Sequence, residues 1–167
     1  MTTTEAVWEE RVAALWEELD DHKEEEFVAR VEALAAELPD RDPRGLFERA
    51  CAHDSTGHSD LAAPLYREAL ATGLTGVRRR RAVIQMASSI RNLGRAEESV
   101  ALLEAERAEG SDLLDDAVVG FLALALADTG REREALSLAL TALARHLPRY
   151  NRSLANYAGD LLPQPQP

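Results

Sequence analysis

The 167-residue sequence predicts an all-α fold, an α-solenoid of stacked helical hairpins with about nine helices. Three observations carry that reading. First, Gly57, Gly94 and Gly130 recur at spacings of 37 and 36 residues. Seven positions before them stand Ala50, Ala87 and Ala123, and eleven before stand Leu46, Val83 and Val119. Five after come Ala62, Ser99 and Ala135, and nine after come Tyr66, Leu103 and Ala139. Second, no alternating β-branched run and no Asn-Gly or Asp-Gly turn signals a hairpin of strands. Third, apolar residues recur at three- and four-residue steps almost from end to end, as one face of a helix requires.

The elements follow in order. Val7, Trp8, Val12, Leu15, Trp16 and Leu19 predict an amphipathic helix over residues 4–20. Phe27, Val31, Leu34 and Leu38 predict a second, closed by Pro39. Together they form an acidic N-terminal hairpin within residues 1–40, packed on the stack. Three repeats occupy residues 41–147. The first pairs helices near 43–55 and 58–73, with Pro43 suited to a first helical turn and Gly73 to a helix end. The second pairs 78–92 with 95–108, and the third pairs 113–129 with 131–146. A last stretch bearing Tyr150, Leu154, Tyr157, Ala158 and Leu161 reads as a capping helix within 148–162, and the Pro-Gln tail at 163–167 as disordered. The whole is expected to be one domain. The small residues carry the packing. Helices approach to about 8–10 Å only where side chains at the crossing are small. Ala50, Ala87 and Ala123 meet that need on the first helices, and Ala62, Ser99 and Ala135 on the second.

Composition narrows the function. No apolar run approaches the roughly 18 residues that span a bilayer. The N-terminal segment lacks a basic stretch followed by an apolar one, so a cytoplasmic location without a signal peptide is expected. The lone Cys51 has no internal disulfide partner, consistent with a reducing compartment. Of the net charge of −11, residues 1–40 hold −10, with 13 acidic against 3 basic side chains. Such an acidic chain repels phosphate backbones, so nucleic acid is not the expected partner. No membrane, metal or cofactor is expected either.

The segment Asp54-Ser-Thr-Gly-His-Ser-Asp-Leu-Ala-Ala-Pro-Leu-Tyr-Arg-Glu-Ala-Leu70 resembles the tetratricopeptide repeat. Gln85-Met-Ala-Ser-Ser-Ile-Arg-Asn-Leu-Gly-Arg95 and Ala123-Leu-Ala-Leu-Ala-Asp-Thr-Gly-Arg131 support the likeness. The chain is also similar to a bacterial family of small stand-alone tetratricopeptide proteins of unassigned activity. The resemblance covers residues 43–147. It departs where the usual aromatic late in the first helix is His53, Ile90 or Leu126, and where Glu106 replaces a small residue. It implies a right-handed superhelix and a non-catalytic module that binds protein or peptide, as scaffold or regulatory adaptor.

In such stacks the first helix of each pair lines the concave face. Stepping along those helices by three or four residues gives a candidate lining of Arg44, Phe47, Cys51 and Asp54 in the first repeat. The second contributes Arg81, Ile84, Gln85, Ser88 and Arg91, with Asn92 at the edge. The third contributes Leu124, with Ala117, Gly120 and Ala127. An extended acidic peptide with an apolar end would complement this lining, its carboxylates taken by Arg. The Lys and Asn clamp that some family members use for C-terminal carboxylates is missing. The acidic hairpin or the closing helix covering the face is the plainer alternative.

Two further clusters are weighed. Arg78 to Arg81 form the only basic run, at a helix start that favours acids by about 0.3–1 kcal/mol, so they serve either Glu neighbours or an anionic partner. Cys51, His53, Asp54 and His58 invite a thiol or metal reading, but residues two apart on a helix point about 200° apart. His53, in register with Ile90 and Leu126, reads as packing. Self-association through the Trp8 and Trp16 hairpin, giving a homodimer, and an enzyme using Cys51 and the His residues are the rival functions.

Overall fold

The computed structural model describes residues 3–110 and 112–163. Among them are nine α-helices and no strand, and 78% of them are helical. The helices are α1 (Thr3–Glu17), α2 (Glu24–Ala35), α3 (Pro43–Ser55), α4 (Ser59–Ala71), α5 (Gly76–Asn92), α6 (Ala96–Glu109), α7 (Asp115–Asp128), α8 (Glu132–His146) and α9 (Asn151–Gly159). Of the tail expected to be disordered at 163–167, all but Pro163 lies outside the described residues.

Each marker glycine ends a first helix in the left-handed conformation, with φ of +80°, +79° and +78° at Gly57, Gly94 and Gly130. The following N–H reaches back five residues in every case: His58 to the His53 carbonyl at 2.8 Å, Arg95 to Ile90 at 3.2 Å, Arg131 to Leu126 at 3.0 Å. This is one helix-ending motif made three times, and only glycine adopts its φ without strain. Helix starts are equally local. Asp42 caps α3 by accepting from the Arg44 N–H at 2.9 Å, and Pro43 occupies the first turn. Its carboxyl is held below the usual aspartate range, chiefly by hydrogen bonds from the Arg44 side chain. Three acids open α2 and two open each of α6 and α8, where the helix dipole favours them.

The first helix stops earlier than its apolar pattern. It ends at Glu17, and a 3-10 turn at Leu19–Asp21 follows. Glu17, Glu18, Asp20 and Asp21 crowd a helix C-terminus with negative charge, which the dipole opposes. Similarly α2 ends at Ala35, ahead of the expected stop at Pro39, in a turn closed by the Leu38 N–H on the Ala35 carbonyl at 3.1 Å.

By contacts the chain divides into two compact units, residues 1–86 and 87–167, and the boundary falls within α5. The expected borders at 40 and 147 separate kinds of segment, not these units. In residues 1–86, Trp8, Val12 and Leu15 of α1 share a core with Phe27, Val31 and Leu34 of α2 and Ala52 of α3. Trp16 meets Phe27 edge-on at 5.0 Å. Gly45 lets α3 approach the end of α2, where a Cβ would stand 3.4 Å from the Ala35 carbonyl oxygen. Ala50, Ala62 and Tyr66 are wholly buried between α3 and α4. In residues 87–167, α6 packs on α7, α7 on α8, and α8 on α9. Ala87, Ser99, Ala123 and Ala135 are buried here, as the repeat register requires, together with Ile90, Leu103, Leu122 and Leu126. Glu106, where a small residue is usual, is buried as well.

Candidate functional site

In residues 1–86 the side chains of α1 settle what the first helix of the first repeat presents. Glu5, Trp8 and Glu9 stand at i, i+3 and i+4, on one face of α1. Glu5 Oε1 accepts from Arg44 Nη1 at 3.4 Å. Both oxygens of Glu9 accept from Arg78, at 2.9 Å from Nη1 and 2.5 Å from Nη2. The guanidiniums of Arg44 and Arg78 lie 5.8 and 5.9 Å from the Trp8 ring, within cation–π reach. Glu48, almost fully buried, accepts from Arg78 Nε at 3.0 Å and from Trp16 Nε1 at 2.8 Å. A buried carboxylate is tolerated only with such partners. Burial works against the Arg78 charge, but Glu9 and Glu48 together outweigh it and raise its pKa.

Against this frame the expected lining divides. Arg44 is half-buried and bidentate on Asp42, at 3.1 Å from Nε and 2.8 Å from Nη2. Asp54 is half-buried and accepts from the Tyr66 hydroxyl at 3.4 Å. Arg81 is exposed, its guanidinium 5.1 Å from the Phe47 ring centroid. Gln85 is half-buried, its Oε1 3.6 Å from Cys51 Sγ. Phe47, Cys51 and Ile84 do not line an open surface: they are 0%, 1% and 4% exposed. The reason is helical. Phe47 and Cys51 stand one turn apart on α3, and Ile84 stands three residues before Ala87 on α5, so the steps of three and four run along faces that packing covers. Phe47 also meets the Tyr66 ring at 6.1 Å. A cavity of about 410 Å³ opens beside Arg44 and Arg78, between Pro43 and Thr75. Both guanidiniums are already paired with carboxylates, so it has no excess of positive charge for a free anion.

In residues 87–167, the end of α5 and the face of α7 supply the remainder. Ser88 and Arg91 are half-buried. Arg91 Nε lies 2.6 Å from Asp128 Oδ2. Leu124, one turn before Asp128, is 47% exposed, with Gly120 and Ala127 exposed beside it.

The chemistry of the rival functions is constrained by the same geometry. Burial pushes the Cys51 thiol up to about 12, so the sulfur stays protonated near neutral pH and is no nucleophile. His53 is half-buried, 3.9 Å from Glu32 and edge-on to His58 at 6.4 Å between ring centroids. Among the described residues no three His, Cys, Asp or Glu side chains converge as metal ligands. Both indoles are used within the protomer, Trp8 Nε1 donating to the Leu34 carbonyl at 2.9 Å and Trp16 Nε1 to Glu48. The Arg run is likewise put to internal use at Arg78, which the sequence left open between Glu neighbours and an anionic partner. Glu5, Glu9 and Glu48 were not singled out in the sequence. The available signal was the acidic pair one turn apart that brackets Trp8.

Among the described residues no helix is long and apolar enough to cross a membrane. No curated protein and no solved structure matches the chain significantly. The family model described as tetratrico peptide repeat matches residues 43–161, well over half of the 167. The chain therefore belongs to the tetratricopeptide repeat family.

Proposed function

We propose that this protein is a non-catalytic scaffold or regulatory adaptor that holds a short acidic and apolar segment of a partner protein. Its family membership makes it a helical repeat module for protein interaction. One observation carries the finer reading. In residues 87–167 an exposed Leu124 sits one turn from Asp128, whose carboxylate engages Arg91 at 2.6 Å. Asp128 is 45% exposed, so water and a competing carboxylate both reach the pair. A partner carboxylate would replace Asp128 on Arg91 in bidentate fashion, and an apolar side chain about 6 Å away would cover Leu124. Ser88 would offer a hydroxyl at the edge. Within residues 1–86 the accessible part of the expected lining is Arg81, with Arg44, Asp54 and Gln85 half-buried.

A panel of fluorescently labelled peptides, each with one or two carboxylates next to a Leu or Phe, tests this by titration. Arg91→Ala and Leu124→Asp are each expected to weaken the best binder at least about fivefold, which corresponds to roughly 1 kcal/mol. Arg107→Ala, on the exposed side of α6, serves as control. Salt should weaken binding as well, because exposed charges are screened within about 8–10 Å. Equal losses in all three variants, or no binder in the panel, would refute the assignment.

A further inference from the structure

We infer that the face formed by Arg44 and Arg78 with Phe27, Val31 and Leu34 of α2 is a receptor for an acidic, Trp-bearing amphipathic helix of another protein, and that α1 is the chain's own occupant of it. The inference shares with the preceding reading only the premise that the chain binds proteins. Its residues and its partner differ.

Three observations lead to it. The family match starts at residue 43, so α1 lies outside the matched repeats. The polar contacts from α1 to α3 and α5 read chemistry more than shape. Two carboxylates one turn apart meet two guanidiniums, and the indole between them meets both guanidiniums on its π system. The receptor side also places Arg78 in the first turns of α5, where the dipole disfavours a cation, and Glu9 of α1 joins the chain's own Glu48 in offsetting that cost. These groups are placed for an acidic helix.

The recognition pattern can be written out from α1. It requires acids at i and i+4, an aromatic ring at i+3, and aliphatic residues at i+7 and i+10. Those are the positions of Glu5, Glu9, Trp8, Val12 and Leu15. The last two are needed because α2 loses its cover when α1 leaves, exposing Phe27, Val31 and Leu34. A visiting helix that lacked them would leave that apolar face wet. Because α1 is tethered by a short turn, it competes at an effective concentration of about millimolar. Exchange is therefore favoured when the visitor matches every contact, and when the hold of α1 is loosened.

The probe is a labelled synthetic peptide of residues 3–17, titrated by fluorescence anisotropy into the full chain and into Glu9→Gln. Loosening α1 should tighten peptide binding, at least about fivefold in Glu9→Gln relative to the native chain, in line with the effective-concentration argument. A Glu5→Gln chain should shift affinity the same way and decides the matter if Glu9→Gln fails to fold. Arg78→Ala should lose the peptide, and a peptide with Glu5, Trp8 and Glu9 all replaced by Ala should bind no chain. Hydrogen exchange on the native chain gives an independent readout: saturating peptide should speed exchange in α1 and leave α4 unchanged. Equal affinity of native and loosened chains, no binding to any, or unchanged α1 protection at saturation would each overturn the proposal. So would a loosened chain that forms dimers by light scattering without peptide, since the visitor would then be a second copy. Peptide binding that depends on Arg91 or Leu124 would point instead to the α5–α7 face and also overturn it.

Discussion

Single residues decide what chemistry this chain can do. Cys51 is the clearest case. The residue is 1% exposed, its sulfur faces a Gln85 oxygen at 3.6 Å, and burial pushes the thiol pKa up to about 12. At pH 8 only about one native molecule in ten thousand would carry a thiolate. Alkylation of the native protein by iodoacetamide at pH 8 should therefore be slow and should follow the rate of unfolding, while the urea-unfolded chain reacts at the rate of a free thiol. Fast labelling of the native chain would show the thiol to be accessible and return the nucleophile reading to consideration. Asp42 shows the opposite electrostatic case. Hydrogen bonds from the Arg44 side chain hold its pKa down, so its contribution to stability is present above the unfolded value and lost as pH falls through the lowered one.

At the scale of the element, the three hairpins share one set of rules. A buried alanine sits seven residues before a left-handed glycine, and the glycine closes the helix with the same backbone bonds. The register makes a comparison possible between two helical alanines, one inside it and one outside. Ala87 is wholly buried, whereas Ala105 on α6 is exposed. Ala87→Leu should lower stability by about 1–3 kcal/mol through overpacking, and Ala105→Leu by much less. Urea denaturation with unchanged slopes measures both. Coincident midpoints would mean that the small-residue register does not mark the packed face. The same register explains the misplaced lining. Stepping by three and four from positions beside Ala50 and Ala87 led to Phe47, Cys51 and Ile84, which are core, while Leu124, directly after Ala123, is exposed.

For the whole molecule the expectation is a purely helical circular dichroism spectrum, with helix content near the 78% found among the described residues. A sheet contribution would contradict the periodicity from which the reading began. That periodicity is a local property. Helix positions, glycine-ended turns and the small residues that pack follow from spacings of a few residues, because a helix repeats every 3.6 residues and buries one face. They were legible before any coordinates, down to Pro43 and Ser55 as the bounds of α3. What covers a face is not local. Glu9 pairs with Arg78 across 69 positions and Trp16 with Glu48 across 32, and no period in the sequence encodes such a pairing. Gly45, likewise, reads as an ordinary helix-weakening residue until Ala35 is seen against it. The sequence by itself determined the helices and the faces they bury. Only the tertiary structure decided that the acidic first helix is seated on Arg44 of α3 and Arg78 of α5, because long-range charge pairing depends on where the chain brings its parts together.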